Sequence, residues 1–267
     1  MTEILQYSFF TYALAGVLLI GISSAMIGTY VIVRRLVAIS GGITHACFGG
    51  LGLGYFMGWN PIATAAVFAV ASGLGVEWFA RNLRLRQDSA IAVIWATGMA
   101  LGVLFVFLTP GYVPELNSFL FGNILTISPT DLMAFGIFTA VLCGFYAWRF
   151  RQIVMVAFDP DFAAVCGLPV RAISYTMTIL VAVCIVLTIR LVGVMLLMSM
   201  LSLPIMTAEL FGRRFRGIMF GAIGVSVFCG LCGLLLSTWI DVPCSALIVL
   251  LNVLCFALGK GFRSLYR

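Results

Sequence analysis

The stretch RRLVAISGGITHACFGGLGLGYFMG, residues 34–58, opens on two arginines and then runs to Gly58 without another formally charged side chain. A membrane-spanning helix needs about 20 such residues in a row. The run ends in Gly58-Trp59-Asn60-Pro61, a turn signal. Arginine at one edge, an apolar span and a turn at the other describe one crossing of a bilayer. In the middle sits His45, the only histidine of the chain.

The rest of the sequence has the same character. Apolar residues make up 63% of the 267 positions and charged residues 9%. Soluble domains carry about 25% charge, so this chain cannot cover a water-facing surface. It reads as an integral membrane protein with no soluble domain, a single transmembrane domain over residues 1–267. The net charge of +6 does not point to nucleic acid, because the arginines sit at the ends of apolar spans as in cytoplasmic loops. MTEILQYSFF lacks the basic region and cleavage site of a removable signal peptide. The eight cysteines lie mostly within apolar segments, which argues against a disulfide framework. Cys229-x-x-Cys232 reads as helix packing rather than a metal or redox motif.

Spans are expected at about 9–33, 37–57, 62–79 and 90–108, with a fifth ending near Trp148. Residues 172–211 are too long for one span and are expected to form two helices turning near Arg190 and Gly193. Two more spans flank STWIDVP at 237–243, for eight or nine in all. Pro110, Pro114 and Pro129 argue against a continuous helix in the 109–131 connection. The arginine-rich segments fall at alternate loops, which assigns them together to the cytoplasm.

One cytoplasmic segment is more than a loop. FDPDFAAVCGLPVR, residues 158–171, offers Asp159 or Asp161 as a helix cap, Pro160 for the first turn and Gly167 as a stop. Phe162, Val165 and Leu168 recur every three residues as an apolar stripe. Such a short amphipathic helix suits docking to a soluble partner, and suits equally a helix lying on the membrane surface or packed under the protein.

Helical rise puts His45 about 15 Å above Arg35, near the middle of a hydrocarbon layer about 30 Å thick. Gly42, Ala46, Gly50, Gly54 and Gly58 recur every four residues, a small-residue stripe that lets another helix approach closely. Gly41, Gly42, Ala46 and Gly49 clear the face around His45, leaving a tight backbone contact or a cavity beside the ring. A polar group at this depth is a functional candidate. Neutral imidazole suits zinc, manganese(II) or iron(II) as a transient ligand. A hydrogen bond between helices is the alternative. Ser199 and Ser202, beside Pro204, are pathway candidates, as is Glu209, which an ion pair with Arg213 explains as well. Met195, Met198, Met200 and Met206 are expected to pack in the core rather than bind metal. Asp241 and Glu115 are placed outside.

Several stretches, in order and along nearly the whole chain, resemble the permease subunits of bacterial ATP-binding-cassette importers for zinc, manganese and iron(II). They are VIVRR at 31–35, GGITHA at 41–46, SFLFGNILTISPTDL at 118–132, DPDFAAVCGLP at 159–169, RLVGVMLLMSMLSLPIMTAELF at 190–211 and DVP at 241–243. The resemblance implies an all-α polytopic bundle like a type II cassette importer, in the bacterial cytoplasmic membrane. It implies a homodimer, two ATPase subunits on the cytoplasmic face and an external metal-binding protein. The coupling segment that docks to the ATPase falls on Asp159, Pro160, Asp161, Phe162, Ala163, Gly167 and Leu168. Family members carry an acidic residue four positions before the histidine, where this chain has Gly41, so the usual Asp–His pair is half present.

The chain cannot fuel transport itself. A phosphate-binding loop needs G-x-x-x-x-G-K-[ST], and the only lysine, Lys260, stands in GKGF. ATP would act through a partner, the transported metal ion would be cargo rather than a resident cofactor, and the chain is not expected to be an enzyme. An ion-coupled secondary transporter would keep an acid near mid-membrane, whereas Glu77, Asp131, Glu209 and Asp241 all fall near span ends. An intramembrane enzyme lacks a paired nucleophile or acid. A cassette permease for a metal chelate would have a longer chain.

Overall fold

The structure, a computed structural model, describes residues 8–83, 86–110, 122 and 127–265. Among these residues the regular structure is helix, in nine segments. They are α1 Ser8–Val33, α2 Val37–Met57, α3 Pro61–Asn82, α4 Gln87–Leu108, α5 Pro129–Phe158, α6 Pro160–Val165, α7 Val170–Phe211, α8 Phe215–Ile240 and α9 Cys244–Leu265. All but α6 are long and apolar enough to cross a membrane. Lipid offers no partner for a backbone N–H or C=O, so helices that bond internally are the form such a sequence takes.

The ends of these helices follow local rules. Gly58 closes α2 in the left-handed region at φ 67°, where glycine meets no Cβ penalty. Two residues on, the Asn60 side chain accepts hydrogen bonds from Ile62 N (3.0 Å) and Ala63 N (3.3 Å), and Pro61 takes the first position of α3. Ser128 and Asp131 cap α5 reciprocally. The Asp131 amide donates to Ser128 Oγ at 3.2 Å, and that hydroxyl donates to Asp131 Oδ2 at 2.7 Å.

Two expected boundaries, near Trp148 and near Arg190–Gly193, are present as kinks rather than as loops. The fifth span leaves helical geometry at Arg149 (φ −113°, ψ 16°), next to the expected end at Trp148, and a further helical segment runs on to Phe158; α5 denotes both. Arginines 149 and 151 mark an edge by composition, but no Pro or Gly stops the helix there. Residues 170–211 hold two helices that meet in a kink at Gly193, as expected, without a loop at Arg190; α7 denotes the whole stretch. Gly193 alone departs from helical geometry, at φ 80° and ψ 173°. The prolines at 110 and 129 do bound helices; Pro114 and most of the connection around it, with Glu115, lie outside the described residues.

The helices gather into two compact units. One comprises Met1–Ile32, Asn117–Trp148 and Leu187–Arg267; the other comprises Val33–Leu116 and Arg149–Val186. In the first, Phe10, Val17, Ile20, Phe135, Leu196, Met200, Leu234 and Ile248 form the main core. A second cluster joins Ala25, Ile205, Ala208, Ile218 and Ala222. Two buried polar contacts join helices of this unit: Ser23 Oγ with Thr139 Oγ1 at 2.8 Å, and Tyr146 Oη donating to Met26 O at 2.9 Å. Arg190 and Asp131 form an ion pair at 2.8 Å between α7 and the first turn of α5. One turn past Arg190, the break at Gly193 packs against the backbone of Gly122, where any Cβ would collide with Val192 and Gly193.

In the second unit α2 is the most enclosed helix, while α4 turns Val103, Leu104 and Phe107 outward, as a lipid-facing helix does. Glu77 on α3 is buried here. It accepts from Thr178 Oγ1 at 3.5 Å and pairs with Arg81 at 3.5 Å, while the Arg81 guanidinium lies 5.7 Å from the centre of the Tyr175 ring. An isolated buried carboxylate costs several kcal/mol, and these partners offset that cost while tying α3 to the first turns of α7.

Candidate metal-ion site and docking segment

His45 lies in the middle of α2, in the second unit. Its imidazole stacks on the indole of Trp95 from α4, with ring centroids 4.7 Å apart and planes 3° from parallel. Phe48, one turn along α2, holds a ring at 6.1 Å and 16°. The Nδ1 atom is buried and has no hydrogen-bond partner among the described residues. So the alternative reading of His45 as an interhelical hydrogen bond finds no partner for that nitrogen.

The glycines around it do what the spacing foretells, on two faces rather than one. A Cβ on Gly98 of α4 would lie 2.5 Å from Ala46 Cα, and one on Gly102 would lie 2.6 Å from Phe48 O. From the α2 side, a Cβ on Gly52 would lie 2.6 Å from Gly102 O, and one on Gly42 would lie 2.6 Å from the Ile91 side chain. Gly50 and Gly54 instead meet α3, at Thr64, Ala65 and Pro61. Gly58 leaves the stripe: it has nothing within 4 Å and serves as the helix cap. The tight backbone contact is therefore the outcome, with His45 stacked beside it.

The candidate docking segment forms the short helix its residues predict. Asp159 Oδ1 accepts from Asp161 N at 3.1 Å and Phe162 N at 2.9 Å, with Pro160 in the first turn. At the other end the Leu168 amide bonds Ala163 O at 3.1 Å and the Gly167 amide bonds Ala164 O at 3.0 Å. Gly167 is left-handed at φ 75°, which completes a Schellman stop. The helix is shorter than the stripe implies, so Leu168 belongs to the stop and not to the helix face. Ala163 is buried, whereas Phe162 is 57% and Val165 86% exposed. Phe158, at the end of α5, is exposed as well. An apolar pair left open on a doubly capped helix is not packed under the protein.

The other candidates fall elsewhere. Ser199, Ser202 and Glu209 belong to the first unit and His45 to the second. Ser199 Oγ is buried with no partner among the described residues, while Ser202 Oγ donates to Met198 O at 2.7 Å. Glu209 is exposed and forms no ion pair with Arg213, which lies beyond the end of α7. Of the methionines, Met200 is core and accepts from Ser226 Oγ at 3.1 Å. Met195 and Met206 are exposed, contrary to the core role expected of them. Asp241 is exposed and ends α8 in the left-handed region at φ 55°. Cys229 has its sulfur neighbour in Cys255 of α9, at 3.4 Å, rather than in Cys232. Among the described residues no three His, Cys, Asp or Glu side chains gather as a metal cage. Among the contacts that escaped the sequence reading are Trp95 on His45 and Thr178 on Glu77. The Glu77–Arg81 spacing signals the ion pair within α3, but nothing local signals a partner that is distant in the chain.

Residues 6–262 match the ABC 3 transport family, and the chain belongs to it. It is thus a membrane permease of the ATP-binding-cassette class, a multi-pass protein of the bacterial cytoplasmic membrane. Among its relatives is the manganese transport system membrane protein MntC of Halalkalibacterium halodurans, 30% identical over 97% of this chain and 89% of that protein. A protein of Haemophilus influenzae named "Probable iron transport system membrane protein" is 29% identical over 99% of this chain and 97% of its own length. A chain of PsaBC from Streptococcus pneumoniae, solved in complex with Fab, has the same fold. It superposes with a TM-score of 0.83 at 24% identity, over 97% of this chain and 93% of that one.

Proposed function

We propose that this permease carries a divalent transition-metal ion (zinc, manganese(II) or iron(II)) into the cytoplasm, driven by ATP hydrolysis on a separate subunit. It works as a homodimer with two ATPase subunits, each docked at residues 158–171 through Asp159–Leu168, and an external metal-binding protein hands over the ion. The observation that carries this reading is that one compact unit holds both the capped docking helix and the only histidine. Force applied at Phe162 and Val165 therefore acts on the body that contains His45. Relatives named for manganese and for iron transport support a first-row metal as cargo. A single imidazole with Gly41 below it makes a weak site, which suits an ion that must leave again.

Ion-coupled exchange is less well supported. It needs a titratable acid at mid-depth, whereas Glu77 lies in the last two turns of α3 and is already engaged by Arg81 and Thr178.

His45→Ala tests the reading. Metal uptake by cells producing the permease with its ATPase should fall to near that of cells lacking the permease, with recovery of the assembled complex unchanged. Undiminished uptake would reduce His45 to a packing residue.

A further inference from the structure

We propose that Trp95 is a positioning residue that orients the His45 imidazole toward the passing metal ion by stacking, in place of a hydrogen bond. The inference rests on the reading of His45 as a pathway ligand. A ligating imidazole ordinarily donates its second ring N–H to a carboxylate or carbonyl, which fixes both tautomer and ring plane. Here Nδ1 is buried and unpartnered among the described residues. The position one turn earlier is Gly41, which has no side chain to offer. What holds the plane of the ring is the indole, 3° from parallel at 4.7 Å.

The indole is itself firmly placed. Four residues before Trp95, the Ile91 side chain fills the space at Gly42; three residues after it, Gly98 sits on Ala46. These contacts seat α4 on α2 through backbone and small side chains, so the indole cannot drift away from the imidazole without parting the helices. A metal ion on the remaining nitrogen, Nε2, draws electron density from the imidazole, and the electron-rich face of an indole then favours the metal-bound ring. Trp95 is 41% exposed, so the stack stands at an open edge of this unit and not in its core.

The experiment uses the full permease with its ATPase subunit in proteoliposomes, manganese(II) as the probe, and two readouts. These are the half-saturating manganese concentration for uptake and the quenching of tryptophan emission by that paramagnetic ion. Trp95→Ala should raise the half-saturating concentration about tenfold or more, the usual cost of losing an orienting partner, and Trp95→Phe should keep uptake close to wild type. The manganese-dependent quenching should drop in Trp95→Phe and in His45→Ala. Quenching places manganese beside the stack, and the orienting role is read from half-saturation, which the aromatic Trp95→Phe should restore and the apolar Trp95→Leu should not. Wild-type half-saturation in Trp95→Ala would overturn the proposal, as would quenching that persists unchanged in Trp95→Phe. Should Trp95→Ala fail to assemble, Trp95→Leu decides the matter: half-saturation close to that of Trp95→Phe would overturn the proposal. Normal uptake in His45→Ala would instead refute the ligand reading beneath it. Loss of uptake in His45→Ala with wild-type behaviour in Trp95→Ala would refute the stacking role alone.

Discussion

Replacing Phe162 and Val165 together by aspartate will leave the chain folded in the membrane and separate it from its ATPase. Both side chains are open to solvent in the isolated chain, so neither contributes to its core. Full burial of a valine or phenylalanine is worth about 1.5–3 kcal/mol. Half of that for each of two side chains amounts to about 1.5–3 kcal/mol, before the cost of placing two carboxylates against an apolar partner. Affinity for the ATPase should therefore fall by roughly 10²-fold. Co-purification at graded subunit concentrations measures this, with metal-stimulated ATP hydrolysis as the second readout. The caps at Asp159 and Gly167 remain in the double variant, so α6 keeps its form. Equal recovery of the ATPase with the variant would remove α6 from the docking surface.

Gly98→Val will destabilise the second unit by about 3 kcal/mol, the upper part of the range for overpacking. A Cβ at this position would lie 2.5 Å from Ala46 Cα and 2.9 Å from Ala46 Cβ. Neither obstacle is the end of a flexible side chain, so α2 and α4 must separate along their length. The His45–Trp95 stack lies within one turn of the contact and would open with it. Gly136→Val is the matched control, because a Cβ there meets nothing within 4 Å. Thermal unfolding of the solubilised complex should show a lower midpoint for Gly98→Val and no comparable shift for Gly136→Val. Equal midpoints would mean that the close approach of the two helices contributes little.

What could be read from the residues alone divides by distance along the chain. The Gly58–Pro61 turn and the caps of α6 were legible because each depends on neighbours within about six positions. The small-residue face of α2 was legible as a place of close approach, since spacing of four marks one side of a helix. Which helix comes close was not, and so the stripe divides between α3 and α4 without any local signal. Arg149 was legible as an edge, and a kink falls there; the helical segment beyond it was not, because arginine marks a membrane edge by its charge yet is a good helix former. Gly193 was legible as a break between two helices, whereas the approach of Gly122 to Val192 and Gly193 was not, since it joins distant parts of the chain. At the site, His45 stood out as a lone polar group in an apolar span. Its stacking partner is fifty residues away in a helix whose tryptophan reads as any lipid-facing aromatic.

Initial-rate uptake of radiolabelled manganese(II), zinc or iron(II) into proteoliposomes holding this permease and its ATPase tests the central claim most directly. The account predicts entry of at least one of these ions that requires ATP, is abolished when the ATPase cannot hydrolyse it, and is lost in His45→Ala. Uptake that proceeds without ATP under an imposed proton or sodium gradient would contradict it.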